Sequence, residues 1–268
     1  MTAKLEFERY PIMDTAIHNV SMEETLDIID RFVAERKPRT IVTANVDHLM
    51  LLRKNVVFRE VYRRADLVTC DSVPLRWALA FLGTPVKERV AGADIFMASA
   101  PRAAEKGYRV FYLGAGPGVA EEAARVLTER HPKLQVVGAY SPPVMSWEEL
   151  AEDEETLSRI ANAKPDILFA AFGAPKQELW LETVRKKLRI PVGVGVGAAF
   201  DFAAGSVKRA PRWMQRCGLE WLYRFTQEPG RLWRRYLFVD SRFGFYVLQE
   251  KLRGRRAPIP PASPGEDE

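Results

Sequence analysis

LVTCDSVPLRW, residues Leu67 to Trp77, runs from a short apolar stretch through a single carboxylate into a helical pattern. Leu67–Cys70 has the length and composition of a strand buried on both faces. Pro74 suits the first turn of a helix. Asp71 therefore stands at a strand-to-helix junction, where it can cap the helix or act as a base. Ser72 beside it offers a hydroxyl for the cap, which would leave Asp71 free. The same unit of strand, junction and helix recurs along the chain, and that recurrence decides the fold.

Strand-like runs occupy Thr40–Ala44, Leu67–Cys70, Arg109–Leu113, Leu134–Ala139, Asp166–Phe172 and Pro191–Val196. Helix-like segments alternate with them at roughly 47–64, 73–82, 93–106, 118–130, 147–162 and 175–188. Ser21-x-x-Glu24 is a capping box ahead of a further helix, TLDIIDRFVAER. Such alternation predicts an α/β fold, a mostly parallel sheet with helices on both faces (Rossmann-like). After Gly205 the alternation stops. Two helices are expected there, about 211–227 and 230–252, broken at Pro229-Gly230. The predicted organisation is an α/β catalytic core over 1–204, a basic aromatic helical appendage over 205–254 and a Pro-rich, disordered tail over 255–268.

At 268 residues, with 47% hydrophobic and 28% charged content, the chain can bury a sizeable globular core. Cys70 and Cys217 make no disulfide framework or metal cluster, which fits a reducing compartment. The start, MTAKLEFERYPIMD, has no apolar h-region, so no signal peptide is expected. No stretch approaches the ~20 apolar residues that span a bilayer. The net charge of +5 is unevenly distributed: residues 208–256 carry 13 Lys/Arg against 4 Asp/Glu and the remainder is net acidic. That basic segment is also rich in Trp, Tyr and Phe, which suits a polyanion or an anionic membrane surface. A nucleic-acid-binding role is disfavoured, because no recognised nucleic-acid motif accompanies the charge.

In open α/β sheets, ligands bind outside the C-terminal ends of the strands. The residues following each strand are therefore the candidate site. They are Thr43, Asn45, Asp47 and His48; Asp71; the Gly114-Ala-Gly116-Pro-Gly118 turn; Tyr140; Gly173 with Lys176, Gln177 and Glu178; and Gly195-x-Gly197 followed by Asp201. The glycine turn lets backbone N–H groups approach an anion at a helix N-terminus. It is not G-x-G-x-x-G, and no acid ends the next strand, so a nicotinamide dehydrogenase is disfavoured. A P-loop NTPase is disfavoured as well, since G-x-x-x-x-G-K-[ST] is missing. No D-x-D motif occurs, so no metal site and no cofactor are expected, and arginines such as Arg89 must balance any diphosphate. His48 and His131 lack partners at ligand spacing and read as structural or surface residues.

The motifs T-A-N-V-D-H, E-R-V-A-G-A-D, Y-L-G-A-G-P-G, F-G-A-P-K-Q-E and R-A-P-R-W-M-Q-R-x-G-L-E-W-L-Y-R-F, together with Asp71, resemble the WecG/TagA/CpsF glycosyltransferase family. The likeness runs from about residue 8 to 240. It implies transfer of N-acetylmannosamine, or its uronic acid, from a UDP-sugar to N-acetylglucosamine on polyprenyl diphosphate. The setting it implies is the cytoplasmic membrane face, with the protein peripherally attached and the product feeding teichoic acid, common antigen or capsule synthesis. By resemblance Asp71 is the general base of an inverting transfer, and Thr43, Asn45, Arg89 and Gln177 line the sugar pocket. Asp201, Tyr140 and the Gly114–Gly118 turn would face the nucleotide. Gly173 and Lys176 also fall on a family motif, and Arg224, Arg231 and Arg234 match arginines that close over the diphosphate. Ala174 and Ser72 stand where the family more often has a larger aliphatic residue and a glycine. A different UDP-hexose donor stays open, as does a homo-oligomer.

Overall fold

The computed structural model describes residues 7–227, 230 and 242–254. The chain begins with an antiparallel hairpin, β1 (Arg9–Ile12) and β2 (Thr15–His18). Six strands then form one parallel sheet: β3 (Arg39–Ala44), β4 (Leu67–Cys70), β5 (Arg109–Gly114), β6 (Gln135–Tyr140), β7 (Ile167–Ala171) and β8 (Val192–Gly195). Their order across the sheet is β4-β3-β8-β7-β5-β6. The central strands are buried along their whole length because helices cover both faces.

Alternate residues feed opposite layers. Ile41, Val110, Tyr112, Ile167 and Phe169 point into one core, beneath α1 (Met22–Glu35), α5 (Gly92–Lys106), α6 (Val119–Arg130) and α10 (Ala199–Ala204). At its centre Phe96, Tyr112, Phe169 and Phe200 stack edge-on or tilted, with centroids 4.9–6.1 Å apart. Val42, Phe111, Leu168 and Ala170 point the other way. That face is covered by α2 (Val46–Leu52), α3 (Val56–Arg64), α4 (Val73–Leu82), α7 (Trp147–Glu152), α8 (Glu154–Ala163) and α9 (Lys176–Leu188).

Three helices expected to be continuous are broken. The 47–64 run is α2 and α3, because Asn55 accepts from Phe58 N (3.0 Å) and caps a new helix. The 147–162 run divides at Asp153, which caps α8 through Thr156 N. The 211–227 run divides at Gly218 (φ 70°) into α11 (Arg212–Arg216) and α12 (Glu220–Gln227). Of the last expected helix, Phe243–Leu252 is seen as α13. The break at Pro229 and the tail 255–268 lie outside the described residues.

α13 is part of the packed body. Phe243 and Val247 are buried with Val42, Leu49 and Leu79. Glu250 accepts from Met13 N at the tip of the hairpin (2.8 Å), and Arg53 lies over the Tyr246 ring at 4.0 Å. No helix among the described residues is long and apolar enough to cross a membrane.

Candidate active site

A cleft of about 610 Å³ opens over the C-terminal ends of β4, β3, β8 and β7. Asp71 follows the last residue of β4. Its backbone is fixed on both sides, since its N–H donates to Ala44 O (2.8 Å) and its carbonyl accepts from Arg89 Nη1 (3.2 Å). Ser72 occupies the N-cap position of α4 but makes no capping bond, contrary to expectation. Its buried hydroxyl has no partner among the described residues. Asp71 does not cap the helix either, so its carboxylate is not spent on local structure. The group looks into the cleft from a dense surround. Burial pushes its pKa up to about 7; Arg89 and Arg209 oppose the rise, and the carboxylates of Glu220 and Asp94 add to it.

Thr43 and Asn45 reach the cleft from the end of β3. Thr43 Oγ1 is buried 3.4 Å from Gly195 O, and a side chain on Gly92 would press against it at 3.0 Å. Asn45 caps α2 by accepting from His48 N (3.1 Å), which fixes its amide and leaves its two N–H donors for a ligand. His48 is buried, sharing a 2.6 Å hydrogen bond with Tyr62, and it also lines the cleft with Asp47.

Gln177 sits in the cleft wall with its amide committed to protein groups. Oε1 accepts from Gly173 N (3.1 Å) and Gly197 N (3.0 Å), while Nε2 donates to Glu178 Oε1 (2.7 Å). The side chain thus ties the loop after β7 to the loop after β8. Glu178 is fully buried behind it, and burial pushes its pKa up to about 7 against the bond from Gln177.

Arg89 leads to a group the sequence did not disclose. Asp94, on the first turn of α5, accepts from Arg89 Nη2 (2.7 Å) and from Arg209 Nη1 and Nη2 (2.5 and 3.1 Å). Those bonds hold the Asp94 carboxyl below its ordinary pKa despite burial. Glu220, from α12, stands across the same two guanidiniums at 3.4 Å from Arg209 Nε and 4.0 Å from Arg89 Nη1. Arg209, Glu220 and Trp221 line the cleft. Arg209 and Asp94 were visible in R-A-P and E-R-V-A-G-A-D, but nothing in the pattern pairs residues 115 positions apart.

Of the expected residues, Thr43, Asn45, Asp71, Arg89, Gly173, Gln177 and Asp201 meet in this cleft. Gly114, Gly116 and Gly118 lie beyond its lining, at the end of β5. There Gly114 (φ 110°) packs so close to Ala171 that a Cβ would meet its carbonyl at 2.9 Å. Tyr140, at the end of β6, lies under Arg159 at 4.4 Å. Lys176 turns away and donates to Met145 O (2.6 Å). Arg224 is on α12, and Arg231 and Arg234 lie outside the described residues. Among the described residues no three of His, Cys, Asp and Glu group as metal ligands.

The sequence matches the model of the glycosyl transferase WecG/TagA/CpsF family over residues 10–257. It is 32% identical over 210 residues to an N-acetylglucosaminyldiphosphoundecaprenol N-acetyl-beta-D-mannosaminyltransferase of Bacillus spizizenii, covering 78% of this chain and 79% of that protein. Enzymes of the same name from Bacillus subtilis and Staphylococcus aureus are 27% and 28% identical, over 88% and 87% of this chain and 91% and 88% of their own lengths. With a parallel-sheet fold, a carboxylate at the end of β4 and a match spanning nearly all of the chain, this protein belongs to the WecG/TagA/CpsF family of glycosyl transferases.

Proposed function

We propose that this protein transfers N-acetylmannosamine from a UDP donor to N-acetylglucosamine carried on undecaprenyl diphosphate, with inversion and with Asp71 as general base. The carrying observation is the Asp71 carboxyl: rigidly placed on the cleft floor, uncommitted to a cap, and with a pKa pushed up to about 7. A base whose pKa lies near the working pH is half ready to accept and still able to hold a proton. The names of the relatives supply the sugar and the acceptor.

In the reaction an acceptor hydroxyl attacks the anomeric carbon of the donor. Its proton passes to Asp71, the new C–O bond forms, and the bond to UDP breaks with the electron pair leaving on the phosphate. Arg89, 3.2 Å from the Asp71 carbonyl, is placed to stabilise that departing charge. Thr43 and Asn45 present a hydroxyl and amide donors to the sugar. Gln177 acts by fixing the two loops that shape the wall.

The acceptor is a membrane lipid, so the protein is proposed to work on the cytoplasmic membrane face. Trp213 and Phe245, 61% and 64% exposed, belong to the basic segment and suit a headgroup layer. Each Lys or Arg near an anionic surface adds about 1 kcal/mol. The full chain should bind anionic vesicles better than neutral ones, and Trp213→Ser with Phe245→Ser should weaken this while sparing UDP binding. Equal binding to both vesicles would remove the membrane part of the reading.

Incubating the protein with a panel of UDP-sugars and a short-chain lipid-diphosphate N-acetylglucosamine tests the chemistry. Mass spectrometry should show one N-acetylhexosamine added, from UDP-N-acetylmannosamine. Addition from another UDP-hexose alone would replace the donor, and no addition from any would end the proposal.

A further inference from the structure

We infer that Glu220 is a built-in stand-in for a substrate diphosphate: its carboxylate holds the place between Arg89 and Arg209 that the diphosphate takes on binding. Arg209 is thereby assigned as a diphosphate-binding residue. The inference deepens the transferase reading and rests on it for the identity of the ligand.

The two guanidiniums come from distant parts of the chain and are clamped side by side by Asp94. Paired cations in a largely buried position need counter-charge on more than one side. Asp94 provides it with contacts of 2.5–3.1 Å, the range of bonds between full charges. Glu220 provides it by one long hydrogen bond, accepted from Arg209 Nε at 3.4 Å, and by a 4.0 Å ion pair with Arg89 Nη1. A carboxylate held that loosely across two guanidiniums is an exchangeable counter-ion. A diphosphate carries more charge on more oxygens and matches the forked donors of two arginines better.

Charge counting among the described residues favours the exchange. With Glu220 in place, the two arginines are already neutralised, and Asp71 is a further acid close by. An anion gains little until one carboxylate leaves, and Glu220 is the one held by the weaker contacts. It is also on the segment with a joint. Gly218, with φ 70°, separates α11 from α12 and rests on Val73 and Trp77, where a Cβ would meet Val73 at 3.0 Å. Turning α12 about Gly218 withdraws Glu220 and carries Trp221, a cleft-lining side chain, with it.

Position favours the donor as the source. Arg89 bonds the carbonyl of the proposed base, so the cradle lies beside the reacting centre. The donor's phosphate is bonded directly to the anomeric carbon, whereas the acceptor's diphosphate lies across a sugar ring from the attacking hydroxyl.

The test uses the full chain and follows Trp fluorescence or heat on titration with UDP, inorganic pyrophosphate and uridine. Glu220→Gln keeps the size and removes the charge. It should tighten UDP and pyrophosphate by about tenfold, the scale of one like charge removed from a partly screened site, and leave uridine unchanged. Arg209→Gln should weaken UDP and pyrophosphate by about tenfold or more, again sparing uridine, while Arg209→Lys recovers part of the loss. Weaker or unchanged pyrophosphate binding in Glu220→Gln would overturn the inference, as would uridine falling in step with UDP in Arg209→Gln. In steady state, a raised KM for the UDP-sugar identifies the donor's diphosphate, a raised KM for the lipid identifies the acceptor's, and no change in either refutes the cradle. Pyrophosphate binding does not depend on transfer. Variants that show these binding effects, beside a wild-type chain that transfers no sugar, would therefore fail the transferase reading alone.

Discussion

A Cβ on Gly195 would stand 2.7 Å from Gln177 Nε2, so the end of β8 is shaped to admit the Gln177 side chain. Glu178 Oε1 lies just behind, at 3.1 Å from the same point. Neither neighbour can yield freely, because Gln177 is bonded to both Gly173 and Gly197 and Glu178 is fully buried. Gly195→Ala should therefore cost about 1–3 kcal/mol as an overpacked core change. It should also loosen both loops, raising KM for substrate. Thermal melting and steady-state kinetics check this; a variant with unchanged melting and KM would show that the contact relaxes at no cost.

Asp71→Asn removes the proposed base and keeps its size. Turnover should fall by ~10²–10⁴, the range for a positioned base, with UDP affinity nearly unchanged. In the parent, the rate should rise with pH and level off above about 7, where Asp71 is ionised. Near-normal turnover in the variant would assign the proton transfer elsewhere.

The same substitution has a stability signature. The folded Asp71 pKa lies above the ordinary 3.8, so between about 4 and 7 the folded chain holds a proton that the unfolded chain has released. Stability from this group therefore falls as pH rises through that window. Asp71→Asn abolishes the loss, so it should melt higher than the parent at pH 8 and level with it near pH 4. Melting curves at the two pH values decide this. Glu178, raised to about 7 by burial, titrates in the same direction and remains in both proteins.

Glu220 is one of the charges that raises the Asp71 pKa, after burial and against Arg89. Glu220→Gln should therefore move the acid limb of the kcat/KM profile, which reports the free protein, to lower pH. A limb that stays in place would mean that Asp71 does not sense Glu220 or does not set the limb.

With Arg89 and Arg209 set beside the base, guanidinium charge can meet the leaving diphosphate. Turnover should persist in excess EDTA. A collapse restored by magnesium or manganese would overturn this.

The six parallel strands were legible because each is a short apolar run closed by glycine, proline or a polar junction, and the ends agree within one or two residues. The hairpin was not. Pro11 interrupts β1, and its turn uses Met13 at φ 51° where a glycine or asparagine would have signalled it. Helix breaks at Asn55 and Asp153 were hidden inside runs whose apolar spacing hardly changes. Asp71 and Arg89 could be picked out because each lies within or just after a local motif. The Gly114–Gly118 turn was equally visible but lies outside the cleft, because the sheet order sets β4, β3, β8 and β7 together and β5 beyond them. Alternation of strands and helices does not encode that order. Nor does it encode the meeting of Asp94 with Arg209, a contact made only when the chain after β8 returns across α5.

The bond from Met13 N to Glu250 spans 237 positions, and it sets a timetable for the chain as it is made. Synthesis runs from the N-terminus, so the hairpin and β3 exist long before α13 does. Until α13 arrives, the core around Val42, Leu49 and Leu79 lacks Phe243 and Val247, which close it. The nascent protein thus carries an open apolar seam until α13 has been made. A chain stopped at residue 204 keeps that seam permanently. Such a fragment should be aggregation-prone and chaperone-bound, so the role of the C-terminal segment is better dissected by point changes than by removal.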